Sequence, residues 1–249
     1  MGSIWYFVRL SRSAEPDGPR VAFYAFQPAD AIFAALLGLW FLFVIYLSLS
    51  QTKEVAITTA ILVNNALFSF MLVGGVLIFL ALRSLNPVDI FGLHRLTWSG
   101  AFRSLLALLV ALPAIYLSYA LVVHVFGADE KPQPLMQFFT SSETQLHDRW
   151  LLVFTAIVVA PLSEEAIFRG YFYGVIRRFG GRWPALILSA ALFAAIHAHI
   201  PSFAPLFVLG LALTVLYEYT GSLWAPMLMH ACFNATTIAI SVLWPALSS

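Results

Sequence analysis

Ser163-Glu164-Glu165-Ala166-Ile167-Phe168-Arg169 lies in the middle of an apolar run that extends from Trp150 to Phe179. That run exceeds the ~20 residues a helix needs to cross a bilayer, so two carboxylates and a guanidinium sit at membrane depth. Charge placed there costs about 2.5 kcal/mol or more per group on insertion scales, and such groups face a bundle interior or a cavity rather than lipid. The stretch therefore predicts a membrane bundle with a polar interior. It also poses the question of which charge is left for chemistry.

The rest of the chain agrees. It is 61% hydrophobic and 10% charged, against ~25% charged in a soluble domain, and its mean hydropathy is +0.88. These values exclude a water-soluble globule. A net charge of +1, without a basic cluster interleaved with aromatics outside the apolar runs, excludes nucleic acid as a partner. The single cysteine, Cys232, lies in an apolar run, so neither an intramolecular disulfide nor a Cys-based metal site is expected. Ile4 to Val8 is too short for the core of a signal peptide, and Arg9, Arg12 and Arg20 follow it rather than precede it.

Residues 1–28 read as an interfacial lead-in with Trp5, Tyr6, Phe23 and Tyr24 near the headgroups. Residues 29–249 form a single membrane domain, with the motif-bearing part at 148–245. The spans read as Ala29–Leu49, Val55–Leu82, Ser104–Phe126, Trp150–Phe179, Pro184–His199, Phe203–Tyr219 and Leu223–Leu243. The fold class is an all-α polytopic bundle of about seven (six to eight) spans. The fourth span is long enough to tilt, to kink at Pro161 or to extend beyond the bilayer. The fifth is short and stops at or below the far surface. Alternate connecting segments hold Arg9, Arg12, Arg20, Arg83, Arg95, Arg103, Arg177, Arg178 and Arg182, against Lys53, Lys131 and Arg149 on the other side. That split places the N-terminus in the cytoplasm, in the inner or plasma membrane if the source is bacterial.

On a helix, Glu165 and Arg169 are four apart with the acid first, the favourable order for a pair. Glu164 is turned about 100° away and is free to act as ligand or base. His197 stands four residues after Phe193, on the same face, and His230 and Asn234 share a face in the last span. Measured from the cytoplasmic ends at 1.5 Å per residue, Glu164 and His197 lie about 21 Å deep, and His230 and Asn234 about 12 and 18 Å. Three helices thus bring polar groups to depths that agree within two turns, as one pocket requires. A carboxylate and an imidazole beside one water suit general-base hydrolysis. One carboxylate with two imidazoles also suits a divalent metal that activates water. An Asn amide suits an oxyanion.

Glu-Glu-x-x-x-Arg at 164–169, Phe-x-x-x-His at 193–197 and His-x-x-x-Asn at 230–234 resemble the motifs of the CPBP intramembrane protease family, which includes CAAX prenyl endopeptidases and bacteriocin-processing or Abi-type proteins. The resemblance covers about 148–245 and implies the helical bundle of the CAAX-processing endopeptidases. It implies that Glu164 and His197 activate the water, that His230 and Asn234 stabilise the oxyanion, and that Glu165, Arg169 and Phe193 support the site. It implies either zinc or another divalent metal held by Glu164, His197 and His230, or a metal-free glutamate mechanism. The partners implied are the lipid bilayer and a membrane-associated or lipidated protein or peptide substrate, prenylated in one branch of the family.

Other readings stand beside this one. The ionisable cluster could hold a coupling ion in a transporter, although the first three spans have no matching set. A catalytically silent relative would act as a binding or immunity partner. His199 reads as a rim or capping residue, His94, His124 and His147 as loop or interfacial residues, Asn64-Asn65 and Gly74-Gly75 as helix-packing features, and Glu218 as solvated.

Overall fold

The computed structural model describes residues 21–51, 57–127, 138–139, 141 and 144–243. Among them the apolar runs form α1 (Pro28–Ser50), α2 (Thr59–Leu82), α3 (Trp98–Phe126), α4 (Leu146–Gly180), α5 (Arg182–Ala195), α6 (Ile200–Thr220) and α7 (Trp224–Leu243). There is no strand among the described residues. All but α5 are long and apolar enough to cross a membrane, which makes six. The chain is thus an all-α, multi-pass membrane bundle.

The helix starts are written in side chains. Gln27 and Asp30 form a reciprocal capping box around Pro28 at the start of α1. The Thr58 hydroxyl accepts the Ile61 N–H at the start of α2. The third span begins at Trp98, six residues before the expected Ser104, because the Thr97 hydroxyl accepts the Gly100 N–H at 3.0 Å. Ser104 lies inside that helix, buried, with its hydroxyl on the Gly100 carbonyl. Trp5 and Tyr6 lie outside the described residues, as do Arg9, Arg12, Arg20, Lys53 and Lys131. Phe23 is buried under Arg177 rather than set among headgroups, whereas Tyr24 is exposed.

Position in the bundle follows from burial. In α1 and α2 about a tenth of the most apolar window is buried (11% each), against half in α6 (50%) and 44% in α4. The first two helices are therefore peripheral and turn Leu36, Leu39, Phe43, Phe70, Met71 and Ile78 outward. α3 packs on α6 and α7, and α5 on α6. Asn64 and Asn65 are exposed on α2, and a Cβ added at Gly74 or Gly75 would meet nothing within 4 Å. The expectation that these four residues pack helices within the chain is corrected: α2 turns them away from the bundle.

The fifth segment ends at Ala195. Its length of about 21 Å falls short of the ~30 Å hydrocarbon core. A turn over 196–199 follows, with Ala198 at φ 47°, and α6 runs back. α4 is the opposite case, about 52 Å long for 35 residues.

Glu218 is a further correction. It is buried, accepting hydrogen bonds from the Tyr173 hydroxyl and from Arg182 Nε and Nη2, the latter at 2.8 Å. A second buried acid that the sequence did not single out, Asp30, meets Arg83 at 3.4 Å, while its carbonyl accepts the Tyr171 hydroxyl. Both clusters tie the basic ends of the helices together.

Candidate active site

The middle of α4 departs from α-helical register twice. Thr155–Val159 and Ala166–Tyr173 are π-helical, and they bracket the six α-helical residues Ala160–Glu165. Pro161 explains the first. Its missing N–H and its ring are incompatible with the preceding turn in regular register, and the wider π turn absorbs the misfit where a kink was expected. Such insertions cluster at functional sites.

Glu165 lies fully buried at the end of this short segment. Its Oε1 accepts from Arg169 Nη1 at 2.7 Å and from His230 Nδ1 at 2.9 Å. The second guanidinium nitrogen of Arg169 donates to the Gly210 carbonyl at 3.2 Å. The cation also lies 4.3 Å from the ring centroid of Phe193, a cation–π contact in a desolvated setting. Phe193 in turn meets the rings of His197 and His230 edge-on at 5.2 and 5.5 Å. One pair, Glu165–Arg169, thereby links α4, α6 and α7, with α5 joined through an aromatic ring.

Close approach of α5 and α6 requires Gly210. A Cβ there would stand 3.0 Å from Ala190 Cβ, 3.1 Å from its Cα and 3.3 Å from Phe193.

Glu164 is partly exposed, and its Oε2 has no hydrogen-bond partner. It faces His197 Nε2 at 4.0 Å and His230 Nε2 at 3.9 Å, beyond hydrogen-bond reach. The tautomers of both rings follow from their other nitrogens. His197 Nδ1 lies 2.8 Å from the Phe193 carbonyl, and His230 Nδ1 lies on the Glu165 carboxylate. Each of those partners can only accept, so each Nδ1 carries a proton, and in the neutral ring each Nε2 presents a lone pair. Three acceptors thus converge with no donor between them. A water, with two protons to give, satisfies that arrangement.

A divalent cation matches the donors in kind: one carboxylate and two imidazoles whose far nitrogens are held by partners. Their spacing is wider than a metal needs. Two ligands of a tetrahedral zinc, each 2.0–2.1 Å from it, stand about 3.4 Å apart. Among the described residues no three His, Cys, Asp or Glu side chains are gathered to hold a metal ion.

The fourth expected residue is placed differently. Asn234 donates from Nδ2 to the Ala156 carbonyl at 2.7 Å, inside the first π turn. Ala156 is eight residues from Glu164, so one amide hydrogen is committed about 12 Å along α4 from the other three groups. His199 is a rim residue, bonded to Ser202 at 2.7 Å. Sequence reasoning missed the Glu165–His230 bond and the partner of Asn234. The chain carries no local signal for either, since the partners are 65 and 78 residues apart.

Residues 146–236 match the family described as type II CAAX prenyl endopeptidase Rce1-like. Among curated proteins, the chain is 32% identical over 114 residues to an Escherichia coli protein named "Uncharacterized 24.3 kDa protein", covering 43% of this chain and 52% of that one. It is 27% identical over 92 residues to the Bacillus subtilis protein named "Putative membrane peptidase YdiL", covering 37% and 38%. It is 28% identical over 95 residues to "UPF0177 protein YbdI" of Lactococcus lactis, covering 38% and 51%. The chain thus spans about half or less of the length of these relatives. No solved structure matches it.

Proposed function

We propose, from the match of residues 146–236 to the family described as type II CAAX prenyl endopeptidase Rce1-like, that the chain is an intramembrane endopeptidase. It hydrolyses a peptide bond of a membrane-associated or lipidated substrate with water activated by Glu164 and His197. The observation that carries this reading is the convergence of the Glu164 carboxylate and the Nε2 atoms of His197 and His230 at 3.9–4.0 Å. Acceptors meeting at one point call for a molecule that donates, and hydrolysis needs that molecule deprotonated as it attacks.

In the mechanism, Glu164 Oε2 takes one proton from the water and His197 Nε2 accepts the other hydrogen, which aims the oxygen lone pair at the scissile carbonyl. The C–O bond forms as charge moves to the carbonyl oxygen. His230 takes a proton from solvent at Nε2 as substrate binds and donates it in a hydrogen bond to that oxyanion, with the Glu165 carboxylate beside Nδ1 as the opposite charge. It returns that proton to solvent when product leaves. Asn234 instead ties α7 to the first π turn of α4 through the Ala156 carbonyl. Collapse of the intermediate breaks the C–N bond, and the proton held by Glu164 passes to the leaving amine. A divalent cation, where one is bound, would be held by Glu164, His197 and His230 and would supply a water of lowered pKa. Glu165, Arg169 and Phe193 hold the imidazoles in either case.

The test uses purified protein and a lipidated membrane peptide. Glu164→Gln should lower turnover at least ~100-fold, the smaller end of general-base effects, with helicity and elution unchanged. Full turnover by that variant removes the proposed role. Metal analysis and chelation of the same sample separate the two routes. Chelator-resistant turnover without stoichiometric metal supports activation by side chains alone, whereas loss that zinc restores assigns the cation.

A further inference from the structure

The outward face of α2 departs from what lipid alone requires. Asn64, Leu67, Met71, Gly74 and Ile78 recur at intervals of three and four residues, which sets them on one stripe of the helix. Leu67, Met71 and Ile78 are 57%, 71% and 64% exposed. Gly75 borders the stripe, and a Cβ added at either glycine would meet nothing within 4 Å. Asn64 is exposed on the same stripe, and its amide has no hydrogen-bond partner among the described residues. α1 differs: Ile32, Leu36, Leu39, Phe43 and Tyr46 cover its outward face, and Gly38 faces Phe172. Buried Leu62, Val76 and Leu80 hold the other side of α2 in the bundle, so the stripe can be covered without unpacking the chain.

We propose that this stripe is the contact between two copies of the chain, related by a two-fold axis along the membrane normal. The 24-residue α2 is about 36 Å long, and Asn64 lies about 7.5 Å from its start. Centred on a hydrocarbon core of ~30 Å, the helix holds that amide about 4 Å inside the core. Lipid chains offer it neither donor nor acceptor, whereas amides hydrogen-bond across membrane helices and glycines let two backbones approach. Copies inserted in one orientation bring α2 against α2 in parallel and in register, so each residue of the stripe meets its own counterpart. The match in depth is then automatic. Asn64 finds Asn64, and a carboxamide, both donor and acceptor, pairs with itself. Gly74 finds Gly74 where the backbones come closest. Intervals of three and four suit a left-handed helix pair, and one amide in such a seam fixes its register. A helix of another protein would have to carry its own polar group at this depth, which a second copy does by construction. This assignment does not depend on the endopeptidase reading.

Energy transfer between donor- and acceptor-labelled full chains in liposomes, read against the protein-to-lipid ratio, tests it. The signal should saturate with a stoichiometry of two copies. Asn64→Leu and, separately, Gly74→Leu should each weaken association about tenfold. Both changes raise helix propensity on an exposed face, so the fold is not at risk. In a Cys232→Ala background, Met71→Cys should cross-link to a second copy on oxidation, and Leu39→Cys on α1 should not. A chain that stays monomeric at every ratio overturns the proposal. So does association that both leucine variants leave unchanged, or cross-linking through Leu39→Cys with none through Met71→Cys. Cross-linking of Met71→Cys to a different protein in native membranes, without self-association, also overturns it and gives the stripe to that partner.

Discussion

Glu164 and Glu165 are neighbours in sequence with opposite circumstances. Glu165 is fully buried between Arg169 and His230, whereas Glu164 is partly exposed beside two imidazoles that stay beyond hydrogen-bond reach. A buried ion pair adds little net stability when intact, because desolvating both ions offsets their attraction, but removing one partner strands the other. Arg169→Ala should therefore cost about 3–5 kcal/mol, leaving the Glu165 carboxylate buried and the face of Phe193 bare. Glu165→Gln should cost less, since an amide oxygen still accepts from the guanidinium, yet it also loosens His230. Unfolding of purified protein with denaturing detergent measures both. A loss under about 1 kcal/mol for Arg169→Ala would remove the pair from its supporting role.

At the scale of elements, the register of α4 and the contact of α5 with α6 set the site. Gly210→Ala should destabilise by about 1–3 kcal/mol, as overpacking does, because the nearest atoms include backbone at Ala190. It should also lower turnover, since the displaced Gly210 carbonyl holds Arg169. Unchanged stability would show that α6 can shift without cost. The spans and the Glu165–Arg169 pair were legible because each rests on local spacing, four residues between acid and base and about twenty apolar residues per span. The Thr97 cap that starts α3 at Trp98 was not read. The π turns were not legible. Residue types do not encode a change of hydrogen-bond register, and Pro161 announced a misfit without saying how it would be absorbed. Glu218 was misread because Arg182, which buries it, is 36 residues distant. Gly74-Gly75 was misread because small residues permit packing without requiring it.

The whole molecule must fit these elements to one membrane. His230 is six residues, about 9 Å, from the start of α7, and Glu164 is sixteen residues, about 24 Å, from the end of α4. Their side chains nevertheless meet at 3.9 Å. If the two axes run parallel, the end of α4 extends roughly 15 Å beyond the start of α7. The agreement of depths expected from sequence therefore had a hidden error, because the helix ends from which those depths were measured are not level. The projecting hairpin of α4 and α5 carries Arg177, Arg178 and Arg182. We propose that it stands in the cytoplasm with Arg83, Arg95 and Arg103, as the distribution of positive charge favours. An impermeant maleimide tests this in intact and in permeabilised cells, with the partly buried native thiol of Cys232 as control. Gly180→Cys and Ser99→Cys should label after permeabilisation alone, and Thr144→Cys should label in intact cells. The reverse pattern would invert the protein. Labelling of Gly180→Cys and Ser99→Cys from opposite sides would instead break the bundle topology, because both sit at ends that α4 and α3 bring to the same face.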